Sequence, residues 1–143
     1  MSHYIAVDIG GTRLRAAVYP LEGLTADEVT RIHTQDASAT PLERLITLLE
    51  DVWPKNGAVK VISVAVPGPT NPYEGVVIDA PNIKGWENLP LKRILEERFN
   101  TPVALGNDAN MAALGEWRYG AGQGHHDMLY LTISTGIGSG III

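Results

Sequence analysis

Hydrophobic positions recur with two different periods along this chain, and glycine and proline mark where one period gives way to the other. Residues 4–9 are short, β-branched and largely apolar, which reads as a buried strand. After Gly10 and Gly11 the pattern resumes over residues 13–19 as a second strand, and residues 28–34 make a third. Thr40-Pro41-Leu42-Glu43 is a helix start, with a Thr cap, Pro at the first position and Glu three residues after the cap. Behind it Leu42, Leu45, Ile46, Leu49 and Val52 recur at helical spacing, so this helix lays one face on a sheet until Pro54 and Gly57 end it.

Residues 59–66 are rich in valine and alternate little, the pattern of a central strand covered on both faces. Pro67-Gly68-Pro69 closes that strand, and Val76-Val77-Ile78 is a short strand in a turn-rich stretch. A second helix spans residues 90–99 with Leu91, Ile94 and Leu95 inward, and residues 102–105 form another strand. Asn107 and Asp108 precede an alanine-rich helix over residues 109–119. After a glycine-rich turn, residues 128–134 are a strand and Ile141-Ile142-Ile143 begin one more. The predicted order is β-β-β-α-β-(β)-α-β-α and then a β-β unit, an α/β fold without internal repeats. The last residues lie inside an apolar strand with no turn or cap behind them, and such an edge invites foreign pairing. The expectation is a fragment of a longer protein.

Composition narrows the classes. The 143 residues suit one domain whose core needs no covalent staple. At 45% hydrophobic and 19% charged, the chain is neither a disordered tail nor a low-complexity linker. A net charge of −5 argues against non-specific nucleic-acid binding, which depends on a basic surface. Without cysteine the chain holds no disulfide, thiolate metal site or cysteine nucleophile. No secretory signal or membrane-length apolar run is present, so the expectation is a soluble, cytoplasmic protein with no membrane partner.

Two glycine-rich segments carry candidate chemistry. In Asp8-Ile9-Gly10-Gly11-Thr12, paired glycines allow close backbone approach and positive φ, so that amides and the Thr12 hydroxyl can point at phosphate oxygens. Asp8 could hold Mg²⁺ through water; the plainer reading is a hairpin turn. In Ser134-Thr135-Gly136-Ile137-Gly138-Ser139-Gly140, glycine recurs every second residue between apolar strands, which would again expose amides to an anion; the plainer reading is a flexible loop. The spacing is not that of a dinucleotide fold.

Polar residues also gather at predicted element ends. Asp108 is either the N-cap of its helix or a general base that takes a hydroxyl proton as a phosphoryl group arrives. Pro67-Gly68 and Pro81-Asn82 lie where ligands collect in open α/β sheets, with ordinary turn chemistry as the alternative. Glu116 reads as a solvated helix face, His125 and His126 as surface residues, and Trp86 and Trp117 as core.

Four motifs occur in order: Asp8-Ile9-Gly10-Gly11-Thr12, Pro81-Asn82 with Gly85-Trp86, Asn107-Asp108-Ala109-Asn110 running into Ala113-Leu114-Gly115-Glu116, and Thr135-Gly136-Ile137-Gly138-Ser139-Gly140. Together they resemble the ROK family of sugar kinases and repressors, over the whole chain. The resemblance implies a ribonuclease-H-like lobe of the actin and hexokinase superfamily, a mixed sheet with flanking helices, truncated at the start of a second lobe. It divides the chain into an N-terminal lobe, 1–124, and the first strands of a second lobe, 125–143.

The implied activity is ATP-dependent phosphorylation of a hexose, with a non-catalytic sugar sensor as the alternative. Asp8, Gly10, Gly11 and Thr12 would face the ATP phosphates and Mg²⁺. Thr135, Gly136 and Gly138 would form a second phosphate loop. Gly68, Asn82, Asn107 and Asp108 would meet the sugar, with Asp108 as catalytic base. Ser134 departs from the glycine usual at its position. The family's zinc site, its adenosine pocket and further sugar ligands have no counterpart in this sequence. The isolated fragment is expected to be inactive and to form a homodimer.

Overall fold

A computed structural model describes residues 1–134 and 136–143. Five strands form the main sheet: β1 (Ser2–Ile9), β2 (Arg13–Pro20), β3 (Glu28–His33), β4 (Ala58–Val66) and β8 (Val103–Asn107), in the order β3-β2-β1-β4-β8. The meander β1-β2-β3 is antiparallel, whereas β4 runs parallel to β1 and β8 parallel to β4. This is the ribonuclease-H-like mixed sheet that the resemblance implies. Register places Asp8 beside Ala65 and Val66 beside Asn107, so the carboxyl ends of the three parallel strands lie along one edge. Ligand-binding residues gather at that edge in open α/β sheets.

Alternation decides which face is core. Ile5, Val7 and Ile9 of β1, Leu14, Ala16 and Val18 of β2, and Ile62, Val64 and Val66 of β4 are buried on one face. Helix α1 (Pro41–Val52) contributes Leu45, Leu48, Leu49 and Val52 to the same core, and α2 (Leu91–Phe99) contributes Leu91 and Leu95. Each such valine, leucine or isoleucine contributes about 1.5–3 kcal/mol when fully buried. The capping box predicted for α1 is present: the Glu43 amide donates to Thr40 Oγ1 at 3.2 Å and the Thr40 amide to Glu43 Oε2 at 2.8 Å. Trp53 stacks on Phe99 with ring centroids 4.9 Å apart, joining the ends of the two helices.

The opposite face departs from expectation. β4 was predicted to be covered on both sides, yet Val61, Ser63 and Ala65 are only half-buried. Their cover is helix α3 (Asp108–Tyr119), which meets the sheet at β4 and β8. A valine-rich run therefore does not by itself mark a doubly covered strand.

Residues between β4 and α2 build a small antiparallel sheet, β5 (Thr70–Asn71), β6 (Val76–Asp79) and β7 (Glu87–Leu89), of which the sequence pattern gave only the middle strand. Val77, Ile83 and Trp86 anchor it in the core. The second correction concerns the alternating glycines. They are not a loop between strands: β9 (Met128–Ile133) pairs with β10 (Ile137–Ile142), so Gly138 and Gly140 lie inside the second strand. This hairpin packs on α3 and pairs with neither of the other sheets. Its far face carries Leu129, Leu131, Ile133, Ile137 and Ile141, between 57% and 79% exposed. Among the described residues no helix is long and apolar enough to cross a membrane.

Candidate active site

The turn between β1 and β2 is built by inward-facing carbonyls. Thr34, fully buried at the end of β3, donates its hydroxyl to the Gly10 carbonyl at 2.6 Å and its amide to the Thr12 carbonyl at 2.9 Å. The Gly10 amide donates to the Arg13 carbonyl at 2.9 Å. Among the described residues, the Gly11 and Thr12 amides have no acceptor, so they remain available to a ligand. The two glycines are not at positive φ, contrary to the sequence reading. Close approach requires them instead: a Cβ on Gly11 would sit 3.0 Å from the Asn82 Cβ, and one on Gly10 would sit 3.1 Å from the Arg13 carbonyl oxygen.

Asn107 and Asp108 divide the roles that sequence left open. Asn107, not Asp108, is the N-cap of α3; its Oδ1 accepts from the Ala109 and Asn110 amides at 3.0 and 3.2 Å. Its Nδ2 donates to the Gly68 carbonyl at 2.9 Å, so both ends of the side chain are bound to the protein. Gly68 itself has φ +83°, and a Cβ there would lie 2.2 Å from the Asp79 carbonyl oxygen, a position only glycine can fill. Asp108 occupies the first helical position, exposed, and its Oδ1 accepts from the Ala109 amide at 2.8 Å.

The third wall is the β9-β10 hairpin. Its turn is held by the Ser134 amide donating to the Gly136 carbonyl at 2.8 Å, and a Cβ on Gly136 would meet nothing within 4 Å. Gly138 and Gly140 face α3 instead. A Cβ on Gly140 would stand 2.5 Å from the Ala113 Cβ, and one on Gly138 would stand 3.3 Å from the Ala109 Cβ. Alternation by two in a strand and spacing by four in a helix each select one face, so glycine meets alanine and the backbones approach closely.

These three walls enclose one cleft of about 850 Å³. Asp8, Gly10 and Gly11 line it from β1 and its turn, Gly68 from the loop after β4, Asn107 from the end of β8, Asp108 from the start of α3, and Gly136 and Gly138 from the hairpin. Two predicted residues stand apart. Asn82 lines a separate shallow groove with Gln35, whose Nε2 donates to the Asn82 carbonyl at 2.8 Å, and it braces Gly11 from behind. Thr12 is exposed beyond the cleft's lining residues. Thr135 lies outside the described residues.

Sequence reasoning missed Arg15. Hairpin register sets it directly across from Asp8, with Nε 3.3 Å from Asp8 Oδ2 and both side chains about half exposed. The signal was available: pairing Ile9 with Leu14 around the turn places residue 15 opposite residue 8. Thr34 was missed too, because nothing local ties it to a turn more than 20 residues earlier. Of the plainer assignments, Trp86 is core; Trp117 is half-buried and donates Nε1 to the His125 carbonyl at 2.7 Å; His125 and His126 are exposed. Glu116 is exposed but accepts from the Ala121 amide at 3.1 Å, closing the helix end.

Residues 4–143 match the family described as ROK. A glucokinase from Streptomyces coelicolor is 36% identical over 141 residues, covering 97% of this chain and 43% of that protein. A xylose repressor from Caldicellulosiruptor bescii is 38% identical over 109 residues, covering 71% of this chain and 27% of that protein. The crystal structure of a ROK family glucokinase from Streptomyces griseus, in complex with glucose and AMPPNP, superposes with a TM-score of 0.84 at 37% identity, over 99% of this chain and 44% of that one. The chain thus spans less than half the length of these relatives.

Proposed function

The chain belongs to the ROK family, and from that premise we propose that it forms one wall of an ATP-dependent hexose kinase. One observation carries the reading: the Asp8–Gly11 turn, Asp108 and the Gly136 hairpin turn face a common cleft at the carboxyl ends of the parallel strands. Glucokinase relatives support the same activity.

In this reading a sugar hydroxyl lies beside Asp108 and gives up its proton to that carboxylate as the hydroxyl oxygen attacks the γ-phosphorus. The bond from that phosphorus to the β–γ bridging oxygen breaks, and ADP leaves. Positioning and charge stabilisation supply most of the rate in phosphoryl transfer, so a carboxylate fixed at the start of a helix suffices as the base. The Gly11 amide approaches the phosphates from one side and the hairpin turn, with Gly136 and Gly138, from the other. Gly68 and Asn107 shape the sugar side, Asn107 with its one remaining N–H; Asn82 acts by bracing the turn.

The residues also fit magnesium. Asp8 presents a half-exposed carboxylate to the cleft, and among the described residues no cluster of three or more acidic or histidine side chains would strip the ion of its water. Mg²⁺ keeps several waters and takes one or two carboxylates plus substrate phosphates. Asp8 would hold it, and when bound it supplies charge neutralisation across the phosphates.

We assign residues 1–124 to the first lobe and 125–143 to the opening strands of a second, in a cytoplasmic protein that draws on ATP. The apolar outer face of the hairpin supports self-association, which light scattering over a concentration series measures. Sugar-dependent ADP release by the full-length protein, assayed across glucose, mannose and N-acetylated hexosamines, tests the kinase reading. The xylose repressor relative favours one rival, a sensor that binds sugar without chemistry. Sugar binding with no ADP formed would establish that rival and reject the kinase.

A further inference from the structure

Arg15 stands out in the charge pattern of the cleft. Two carboxylates line it, Asp8 and Asp108, and Arg15 is the one cation among its described lining residues. A triphosphate brings several negative charges into that space, where free amides supply only partial charges. Strand register then fixes where the guanidinium goes. On β2, Arg15 has Asp8 as its cross-strand partner on β1 and Arg31 as its partner on β3. Cross-strand neighbours share a face, so repulsion from Arg31 and attraction to Asp8 both bias the Arg15 head toward the cleft.

Resting on the kinase reading, we propose that Arg15 is the side-chain cation that binds the terminal phosphates of the donor. The Asp8–Arg15 pair is a resting arrangement. Both members are about half exposed and 3.3 Å apart, a geometry in which an ion pair contributes little. A phosphate group carries more charge than a carboxylate and offers the planar guanidinium two oxygens at once, so it captures Arg15 when the donor enters. Nothing has to unfold for this exchange, because Arg15 sits on a strand edge of the cleft rather than in the core.

The test is calorimetric binding of AMPPNP with magnesium, and of inorganic tripolyphosphate, to the full-length protein and to Arg15→Gln, Arg15→Lys and Arg31→Gln. Tripolyphosphate reads phosphate recognition without the adenosine. Losing a charged hydrogen bond weakens binding by about 10- to 100-fold, so Arg15→Gln should bind both probes that much less tightly and with a shallower salt dependence. Arg15→Lys keeps the charge but not the two-oxygen grip, so it should recover only part of the loss, while Arg31→Gln should change affinity less than about 3-fold, as a rim charge does. Glucose affinity should be unchanged in all of them. Equal effects of Arg15→Gln and Arg31→Gln, or undiminished binding by Arg15→Gln, would overturn the role of Arg15 while leaving the kinase reading intact. Wild-type protein that binds neither probe would overturn that reading itself, and Arg15's role with it.

Discussion

Replacing Gly140 by alanine adds one methyl group where the hairpin meets α3. That Cβ would lie 2.5 Å from the Ala113 Cβ and 2.8 Å from the Ala109 carbonyl oxygen. Carbon atoms pack best at about 3.5–4.0 Å, so the surfaces must part by roughly 1 Å. Neither neighbour can yield by changing rotamer, since one is an alanine and the other is helix backbone. Overpacking of this kind costs about 1–3 kcal/mol. Gly140 is not at positive φ, so the substitution carries no backbone strain and gains about 0.4–1 kcal/mol from a less flexible unfolded chain. The net loss should be about 0.5–2 kcal/mol.

The larger effect should be on rate. The hairpin carries Gly136 toward Asp108, and a shift of about 1 Å in a reacting geometry costs up to roughly 100-fold. On the kinase reading, kcat/KM of the full-length protein should fall by about 10- to 100-fold, while urea unfolding shifts only modestly. Adding Ala113→Gly in the same molecule should restore part of the rate and yield a coupling of about 1 kcal/mol between the sites. Gly115→Ala is the control, because its new Cβ meets nothing within 4 Å on the same helix. Kinetics for Gly140→Ala that match Gly115→Ala, or additivity with Ala113→Gly, would refute the close-packing account.

Asp108→Asn should lower kcat by about 100- to 10,000-fold with sugar affinity nearly unchanged, read by steady-state kinetics and calorimetry; undiminished turnover would remove Asp108 from its role. Gly68→Ala should destabilise the fold by at least about 2 kcal/mol in urea titrations, since the new Cβ would collide with the Asp79 carbonyl at φ +83°. Glu43 is held below the usual carboxylate range, first by the Thr40 amide and then by the Thr40 hydroxyl. A folded pKa below the unfolded one contributes stability that is fully present above the unfolded pKa and lost as pH falls through the folded one. The stability gap between wild type and Glu43→Gln should therefore be constant above about pH 5 and narrow as pH falls through the lowered folded pKa. A gap that does not change with pH on acid titration would contradict the charged capping box.

Much of the fold was legible because its signals are local. Thr40-Pro41-Leu42-Glu43 announces α1 through chemistry confined to four residues, and the meander announces itself by alternation. Strand ends marked by glycine, proline and Asx residues also pointed to the edge where Asp8, Gly68 and Asp108 meet. What could not be read depends on distant partners. Gly138 and Gly140 look like loop residues because glycine is unfavourable in strands; their place in β10 makes sense only once Ala109 and Ala113 lie opposite. Asn107 and Asp108 are both good caps, and the choice between them is tied to the Gly68 carbonyl, 39 residues away. The half-open face of β4 was illegible for the same reason, since burial there depends on where α3 crosses.

The Asn107 side chain has a mechanical consequence. By gripping the Gly68 loop with its nitrogen and the first turn of α3 with its oxygen, it rivets loop, strand end and helix into one corner. Asp108 is the next residue, so its distance from Gly68 is set before any substrate arrives. In the proposed kinase such a preorganised corner would leave little reorganisation for an incoming sugar, and adjustment during turnover would fall to the parts that are not riveted.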